Sequence, residues 1–193
     1  MTNHVKNLTK ELLSDYKCTL EKVSFDYLRS NNEWQHQNRV VFTRPDASTA
    51  LLYNKDLKKI ILINQFRIPT YVNGSDDGML LEACAGTIDK GETPEECIKR
   101  EIEEETGYQI PEIKRIFDVY LSPGSVTERL HFFTAEYTAA MKKNKGGGTD
   151  ETEDISIREV DFDEAVTMIA NGQIKDAKTV MLLQYAQLQS LFS

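Results

Sequence analysis

The sequence is poor in cysteine and contains no paired-cysteine motif. Its three cysteines, Cys18, Cys84 and Cys97, occur singly among 193 residues and show no CxxC spacing. An odd number of isolated cysteines argues against a disulfide framework and against a zinc knuckle. The three histidines also lack the spacing of metal ligands. We therefore expect reduced thiols and no metal site built from cysteine or histidine.

The chain also lacks long apolar runs and an excess of positive charge. No stretch approaches the roughly 20 apolar residues that a membrane-spanning helix requires. The first residues have neither a basic start followed by an apolar run nor a small-residue cleavage site, which favours a cytoplasmic protein without a secretory signal. Acidic residues outnumber basic ones by 31 to 23, giving a net charge of −8. This charge disfavours nucleic acid as a partner, and a phosphate-bearing ligand would need help from cations.

Alternating apolar and polar residues predict a succession of β-strands. The predicted strands are residues 17–28, 39–43, 49–54, 58–67, 79–85, 114–121, 130–137 and 155–160. Helices are predicted after Thr93, at 162–170 and at 177–191. Strands around one central helix, with two helices at the end, favour an α/β (α+β) fold in which helices cover both faces of a mixed sheet. We predict an α/β/α sandwich at 46–193, preceded by a β-rich extension at 1–45.

The central helix carries the clearest local signals. It lies in the segment GTIDKGETPEECIKREIEEETGY, residues 86–108. Thr93 and Glu96 form a Thr-x-x-Glu capping box, and Pro94 suits the first helical position. Gly107 supplies a C-terminal stop. Both ends of this helix are therefore predicted from the sequence.

Three glutamates crowd one side of this helix. On an ideal α-helix Glu101, Glu104 and Glu105 fall within an arc of about 100°, while Glu103 points away. Two carboxylates about 4 Å apart repel by up to about 4 kcal/mol at an effective dielectric near 20. Arg100 precedes Glu104 by one turn but cannot neutralise all three acids. One interpretation is a solvated surface helix with salt bridges. The other is a Mg²⁺ or Mn²⁺ site that takes further oxygen ligands from substrate phosphates.

The spacing of this acidic segment resembles the signature of the Nudix family. Gly86, five residues, Glu92 and seven further residues precede the run Arg100-Glu101-Ile102-x-Glu104-Glu105-x-Gly107-Tyr108. This matches G-x5-E-x7-R-E-U-x-E-E-x-G-U at every charged and glycine position. Tyr108 departs from the pattern, because a bulky aliphatic residue is usual there. The resemblance favours the metal-site interpretation over the surface helix.

Segments outside the box extend the resemblance. LEACAGTIDKGE, QFR and SPG are similar to the nucleoside diphosphate sugar pyrophosphatase branch, which includes ADP-ribose pyrophosphatases. Within that branch, YVNG, SPGSVTE, HFFTAEY, the GGG loop and DAKTVMLLQY look most like enzymes that act on GDP-mannose. The similarity runs from about residue 10 to residue 190 and implies the Nudix type of α/β/α sandwich.

The resemblance implies a divalent-metal site. In the family, glutamates of the box and the carbonyl before its first glycine bind metal, which corresponds to Glu101, Glu105 and Ala85 here. Glu104 would orient and assist in catalysis. Enzymes of this branch also take a carboxylate from a later loop, and the acidic run 151–154 supplies the candidates. We expect Glu153 to be a further metal ligand and Glu151 the base that activates water, with a solvated acidic loop as the alternative.

The resemblance also implies residues that support the box and residues that bind substrate. Arg100 would hold Glu104, and Glu92 would fix the loop before the helix. Arg67 resembles the phosphate-contacting arginine of the family, with a plain surface arginine as the alternative. The complete set of expected substrate-binding residues is Arg39, Arg67, Glu128 and Lys178.

The implied reaction is Mg²⁺-dependent hydrolysis of the pyrophosphate bond of a nucleotide sugar, with Mn²⁺ possible. GDP-mannose would yield GMP and mannose 1-phosphate. The alternative enzymatic activity is ADP-ribose hydrolysis. The alternative non-enzymatic role is that of a nucleotide-sugar sensor without catalysis. N-terminal segments of this branch pair with a second subunit, so we expect a homodimer in which Arg39 is lent across the interface. The segment 142–154 is expected to be a mobile loop that closes on substrate.

Overall fold

A computed structural model describes residues 4–149 and 154–192, which are divided between two compact units. The first unit runs to Asp46 and also contains Tyr120–Arg129. The second contains Ala47–Val119 and the chain from Leu130 onward. Among the helices in this described part of the chain, none has the length and apolar character needed to cross a membrane.

The first unit is a three-stranded antiparallel sheet. Its strands, in spatial order, are β1 (Val5–Ser14), β2 (Thr19–Leu28) and β3 (Trp34–Thr43). Strand β1 was not predicted, because its polar residues do not alternate regularly with apolar ones. The first unit leaves many large apolar side chains exposed, namely Leu8, Leu12, Leu13, Tyr16, Tyr27, Trp34 and Val40. An exposed apolar set of this kind is typical of an interaction surface.

The second unit contains a seven-stranded mixed sheet. Its strands are β4 (Ala47–Asn54), β5 (Lys59–Phe66), β6 (Met79–Glu82), β7 (Cys84–Thr87), β8 (Lys114–Tyr120), β9 (Arg129–Glu136) and β10 (Ile155–Asp161). The order is β10-β5-β4-β9-β8, with β6 on β5 and β7 on β4. Strands β4 and β9 are parallel, whereas β4 pairs antiparallel with β5 and β7. The predicted mixed sheet is confirmed.

The segment predicted as one strand at 79–85 is divided into β6 and β7 at Ala83. Strand β6 pairs with β5, whereas β7 pairs with β4. The backbone N–H of Ala83 at the junction donates instead to the hydroxyl of Thr179, at 2.7 Å. This change of partner brings Glu82, at the end of β6, and Ala85, in β7, to the part of the sheet where the candidate site lies.

The helices of the second unit are α1 (Ile68–Val72), α2 (Pro94–Glu101), α3 (Phe162–Ala170) and α4 (Ala177–Leu188). A π-helical turn, Ile102–Thr106, follows α2, and a 3-10 turn spans Ala139–Met141. The short α1 was not predicted. It follows directly on β5, and a proline near its start suits the first turn of a helix.

Two apolar clusters lie on opposite faces of the seven-stranded sheet. Neighbouring strand residues alternate between them, since Leu51 belongs to one cluster and Leu52 to the other. The first cluster includes Leu182 and Leu183 of α4, and the second includes Ile98 of α2. Because side chains of a strand alternate between the faces of its sheet, helices cover both faces. The predicted α/β/α sandwich is confirmed.

Candidate active site

Helix α2 begins and is capped as the sequence predicts. The Thr93 hydroxyl accepts from the backbone N–H of Glu96, and the Glu96 carboxylate accepts from the backbone N–H of Thr93 at 2.8 Å. Gly107 ends the helical segment with φ +76°, in the left-handed region that favours glycine. These local contacts fix where the acidic residues of the box lie along the chain.

The α-helix ends at Glu101 and a π turn follows it, so the regular helix on which the arc of three glutamates was predicted does not continue through Glu104 and Glu105. The arc itself stays a prediction. In a π turn the hydrogen bonds run from i to i+5, so each residue advances less around the axis. Glu105 is buried, whereas the side chain of Glu104 is 30% exposed. Glu103, predicted to point away, borders the same cavity of about 480 Å³ as Glu104.

Glu101 and Glu105 converge on the first residues of the box. A Glu105 carboxylate oxygen accepts from the backbone N–H of Ala85 at 3.2 Å. The Glu101 carboxylate lies so close to Gly86 that a Cβ there would overlap it. The pKa of Glu105 is raised to about 8, chiefly by burial and also by the charge of Glu101, although hydrogen bonds from Cys84 and Ala85 act to lower it. A cation beside these carboxylates would favour the ionised form of Glu105.

Arg100 connects several acids of the box. Its guanidinium donates to both oxygens of Glu92, at 2.9 and 3.0 Å, and to Glu101 at 2.8 Å. It also donates to Glu104 at 3.1 Å and to the carbonyl oxygen of Thr87 at 3.3 Å. The hydrogen bond from Arg100 holds the pKa of Glu92 below its usual value. Arg100 therefore connects the loop before α2 with Glu101 and Glu104, and the roles assigned to these residues remain predictions.

A second charged cluster contains two of the expected substrate-binding residues, Arg67 and Lys178. Both contact the carboxylate of Glu82, which is 2% exposed, and Lys178 also contacts Asp176 at 3.0 Å. Arg67 donates through Nε at 2.6 Å and through Nη2 at 3.2 Å. Glu82 was not among the predicted site residues. The sequence feature that could have indicated it is a single acidic residue inside the apolar run MLLEACA.

The segment after the 3-10 turn is anchored to the end of the π turn. The backbone N–H of Lys143 donates to the carbonyl of Gly107 at 2.8 Å, and that of Gly147 donates to the carbonyl of Glu105 at 2.9 Å. Gly148 likewise donates to the carbonyl of Glu104 at 3.1 Å. The described part of the predicted mobile loop, 142–149, is therefore docked, because it satisfies carbonyls that a helix end leaves without intrahelical partners.

The remaining predicted site residues lie elsewhere in the chain. Arg39 and Glu128 belong to the first unit, where Arg39 donates to the Gln37 side chain at 2.9 Å and Glu128 pairs with Arg44 at 3.1 Å. Their part in binding substrate remains a prediction. Glu151 and Glu153 lie outside the described residues.

The donor set of the box suits a hard divalent cation. Within residues 4–149 and 154–192, no three His, Cys, Asp or Glu side chains are grouped to hold a metal ion. Glu101 and Glu105 nevertheless supply two converging carboxylates beside the backbone of Ala85, and oxygen donors are the ligands that Mg²⁺ and Mn²⁺ prefer. These residues fit a cation that takes its remaining ligands from water, substrate or a further carboxylate.

Comparison with known proteins identifies the class of protein that this fold and site define. The family model of the NUDIX domain matches residues 43–183, so the chain belongs to the NUDIX family and is a Nudix hydrolase. Enzymes of this family generally use divalent metal ions. The family predicted from the spacing of the box is confirmed.

The comparisons also point to a particular type of Nudix hydrolase. A second family model, the GDP-mannose pyrophosphatase NudK N-terminal domain, matches residues 4–42. The chain is 50% identical over 193 residues to the GDP-mannose pyrophosphatase of Pectobacterium atrosepticum, covering 100% of this chain and 99% of the relative. It is 50% identical to that of Yersinia enterocolitica and 44% identical to that of Escherichia coli, with 99% of each chain covered.

Proposed function

We propose that this protein hydrolyses the pyrophosphate bond of GDP-mannose to give GMP and mannose 1-phosphate, with Mg²⁺ as its metal ion and Mn²⁺ as a substitute. The observation that carries the proposal is the convergence of Glu101 and Glu105 on Ala85 and Gly86. Full-length relatives named for this activity support the choice of substrate.

Each part of the site has a separate task in this reaction. Glu101, Glu105 and the carbonyl of Ala85 would hold the metal, with Glu153 as a further ligand. When bound, the metal cancels charge on the diphosphate and polarises the phosphorus that is attacked. Arg67 is partly exposed, and its Nη1 is the guanidinium nitrogen that does not donate to Glu82. We propose that Nη1 donates a hydrogen bond to a phosphate oxygen, because the planar guanidinium of arginine matches the geometry of a phosphate group.

Water activation and orientation are assigned to acids near the box. Glu151 is the proposed base that takes a proton from the attacking water. Glu104 is held by Arg100 at 3.1 Å and borders the cavity of about 480 Å³, so it can orient that water or assist the base. Glu92 and Arg100 would keep the loop before α2 in place. The sugar and base contacts proposed for Arg39, Glu128 and Lys178 would then select the substrate.

Substrate and metal dependence can be measured together. We expect the purified protein to hydrolyse GDP-mannose with Mg²⁺ and to lose turnover when EDTA is added, because the metal is needed to offset the repulsion between the anionic diphosphate and the carboxylates of Glu101 and Glu105. ADP-ribose and NADH should be poorer substrates under the same conditions. Faster turnover of ADP-ribose would favour the alternative substrate, and binding of GDP-mannose without turnover would favour a sensor.

We also propose that the protein acts as a cytoplasmic homodimer. The first unit exposes a set of large apolar side chains, which a second copy could cover. In this arrangement Arg39 would serve the partner's site. The three free thiols of Cys18, Cys84 and Cys97 suit a reducing compartment. Size-exclusion chromatography with light scattering should give twice the mass of 22.0 kDa, and a fully active monomer would contradict the proposal.

A further inference from the structure

Glu82 is a buried carboxylate at the junction of β6 and β7. It lies between Leu81 and Ala83, which are themselves buried, and only 2% of its own surface is exposed. A charged group in such surroundings is costly unless it is paired and hydrogen-bonded. Its partners therefore indicate why an acid occupies this position.

Three elements of the second unit meet at this carboxylate. Arg67 follows the end of β5 and donates to both oxygens, at 2.6 and 3.2 Å. Lys178, in the first turn of α4, contacts the oxygen that also accepts from Arg67 Nη2. Two parallel N–H···O bonds fix the plane of a guanidinium as well as its position. Glu82 therefore restrains both cations and connects them.

Arg67 and Lys178 differ in how much of each side chain is accessible to a ligand. The side chain of Lys178 is 10% exposed and lies between the carboxylates of Glu82 and Asp176. The side chain of Arg67 is 38% exposed, and Nη1 is not used in the contact with Glu82. Burial by itself would raise the pKa of Glu82, but the hydrogen bond from Arg67 and the charge of Lys178 outweigh it and lower the pKa. The carboxylate is thus ionised, and Arg67 is the more accessible cation.

We infer that Glu82 is a positioning residue for substrate binding, which fixes the Arg67 guanidinium so that Nη1 is presented to the diphosphate. This inference rests on the proposed function, because the phosphate contact of Arg67 belongs to it. Glu82 acts through Arg67 and makes no contact with substrate itself. Lys178 and Asp176 complete the charge balance and hold Glu82 at the start of α4. A guanidinium held in one geometry before binding loses less freedom when the ligand arrives.

A double-mutant cycle tests the link between the two residues. Glu82→Gln should lower kcat/KM for GDP-mannose by about tenfold or more, since it weakens a charge-assisted contact that orients Arg67. Arg67→Ala should have an effect at least as large, and the double variant should be no worse than Arg67→Ala alone. Asp118→Asn is the matched control, because it removes a carboxylate that takes two hydrogen bonds from Arg115 in the same unit. Its kcat/KM should be unchanged.

A chemical probe tests the inference without substrate. Phenylglyoxal, which modifies guanidinium groups, should label Arg67 several-fold faster in Glu82→Gln than in the unmodified sequence, as measured by peptide mass spectrometry. Glu82→Asp keeps the charge but shortens the side chain, so it should fold and still lower kcat/KM. Additive effects in the cycle, with unchanged labelling of Arg67, would overturn the positioning role. If the protein does not hydrolyse GDP-mannose at all, the proposed function fails while the labelling result still decides the role of Glu82.

Discussion

Replacing Glu105 with glutamine is expected to lower kcat for GDP-mannose by more than about 100-fold, since even the partners of metal ligands commonly contribute about 10- to 100-fold. Glu105 is buried and accepts from the N–H of Ala85, so an isosteric glutamine can occupy the same space. The substitution removes a ligand charge and also removes the repulsion between Glu105 and Glu101. The fold should therefore survive the loss of activity.

Two measurements separate loss of metal binding from loss of folding. Calorimetric titration with Mg²⁺ should show weaker binding to Glu105→Gln, while circular dichroism and the Tm of the metal-free protein stay close to those of the unmodified sequence. Glu95→Gln is the matched control, because Glu95 is an acid in the first turn of α2 and pairs with Arg115. It should retain full activity. Near-normal turnover of Glu105→Gln would remove Glu105 from the metal site.

Gly86→Ala is expected to have a similarly large effect on activity with a small effect on stability. A Cβ at this position would overlap the carboxylate of Glu101, which is the far end of a flexible side chain. The fold can therefore accommodate alanine by displacing that carboxylate. Displacement would separate Glu101 from Glu105, and we expect kcat/KM to fall by about 100-fold, as for the loss of a metal-orienting contact.

The control for this substitution is Gly124→Ala. No atom lies within 4 Å of a Cβ built at Gly124, so an added methyl group there meets open space. Its Mg²⁺-dependent turnover should equal that of the unmodified sequence. If Gly86→Ala also retained normal turnover and Mg²⁺ affinity, the close approach of Glu101 to the first glycine of the box would have no part in catalysis.

Features determined by short-range spacing were predictable from the sequence. The capping box of Thr93 and Glu96 and the stop at Gly107 depend on contacts between residues a few positions apart, and they are present as predicted. The same spacing identified the family. The π turn at Ile102–Thr106 was not predictable, because helix periodicity assumes one regular geometry throughout. It changes the angular positions of the residues that follow Glu101, which an ideal helix could not indicate.

The sequence by itself determined the family and the mixed sheet with helices on both faces, and it identified the acids that we propose as metal ligands. Only the tertiary structure decided that β6 and β7 take different partner strands and that Glu82 contacts both Arg67 and Lys178. The physical reason is distance along the chain. Glu82 and Lys178 are 96 positions apart, so no local pattern relates them. They meet because α4 packs on the sheet through its apolar face, which brings its first turn to the end of β6.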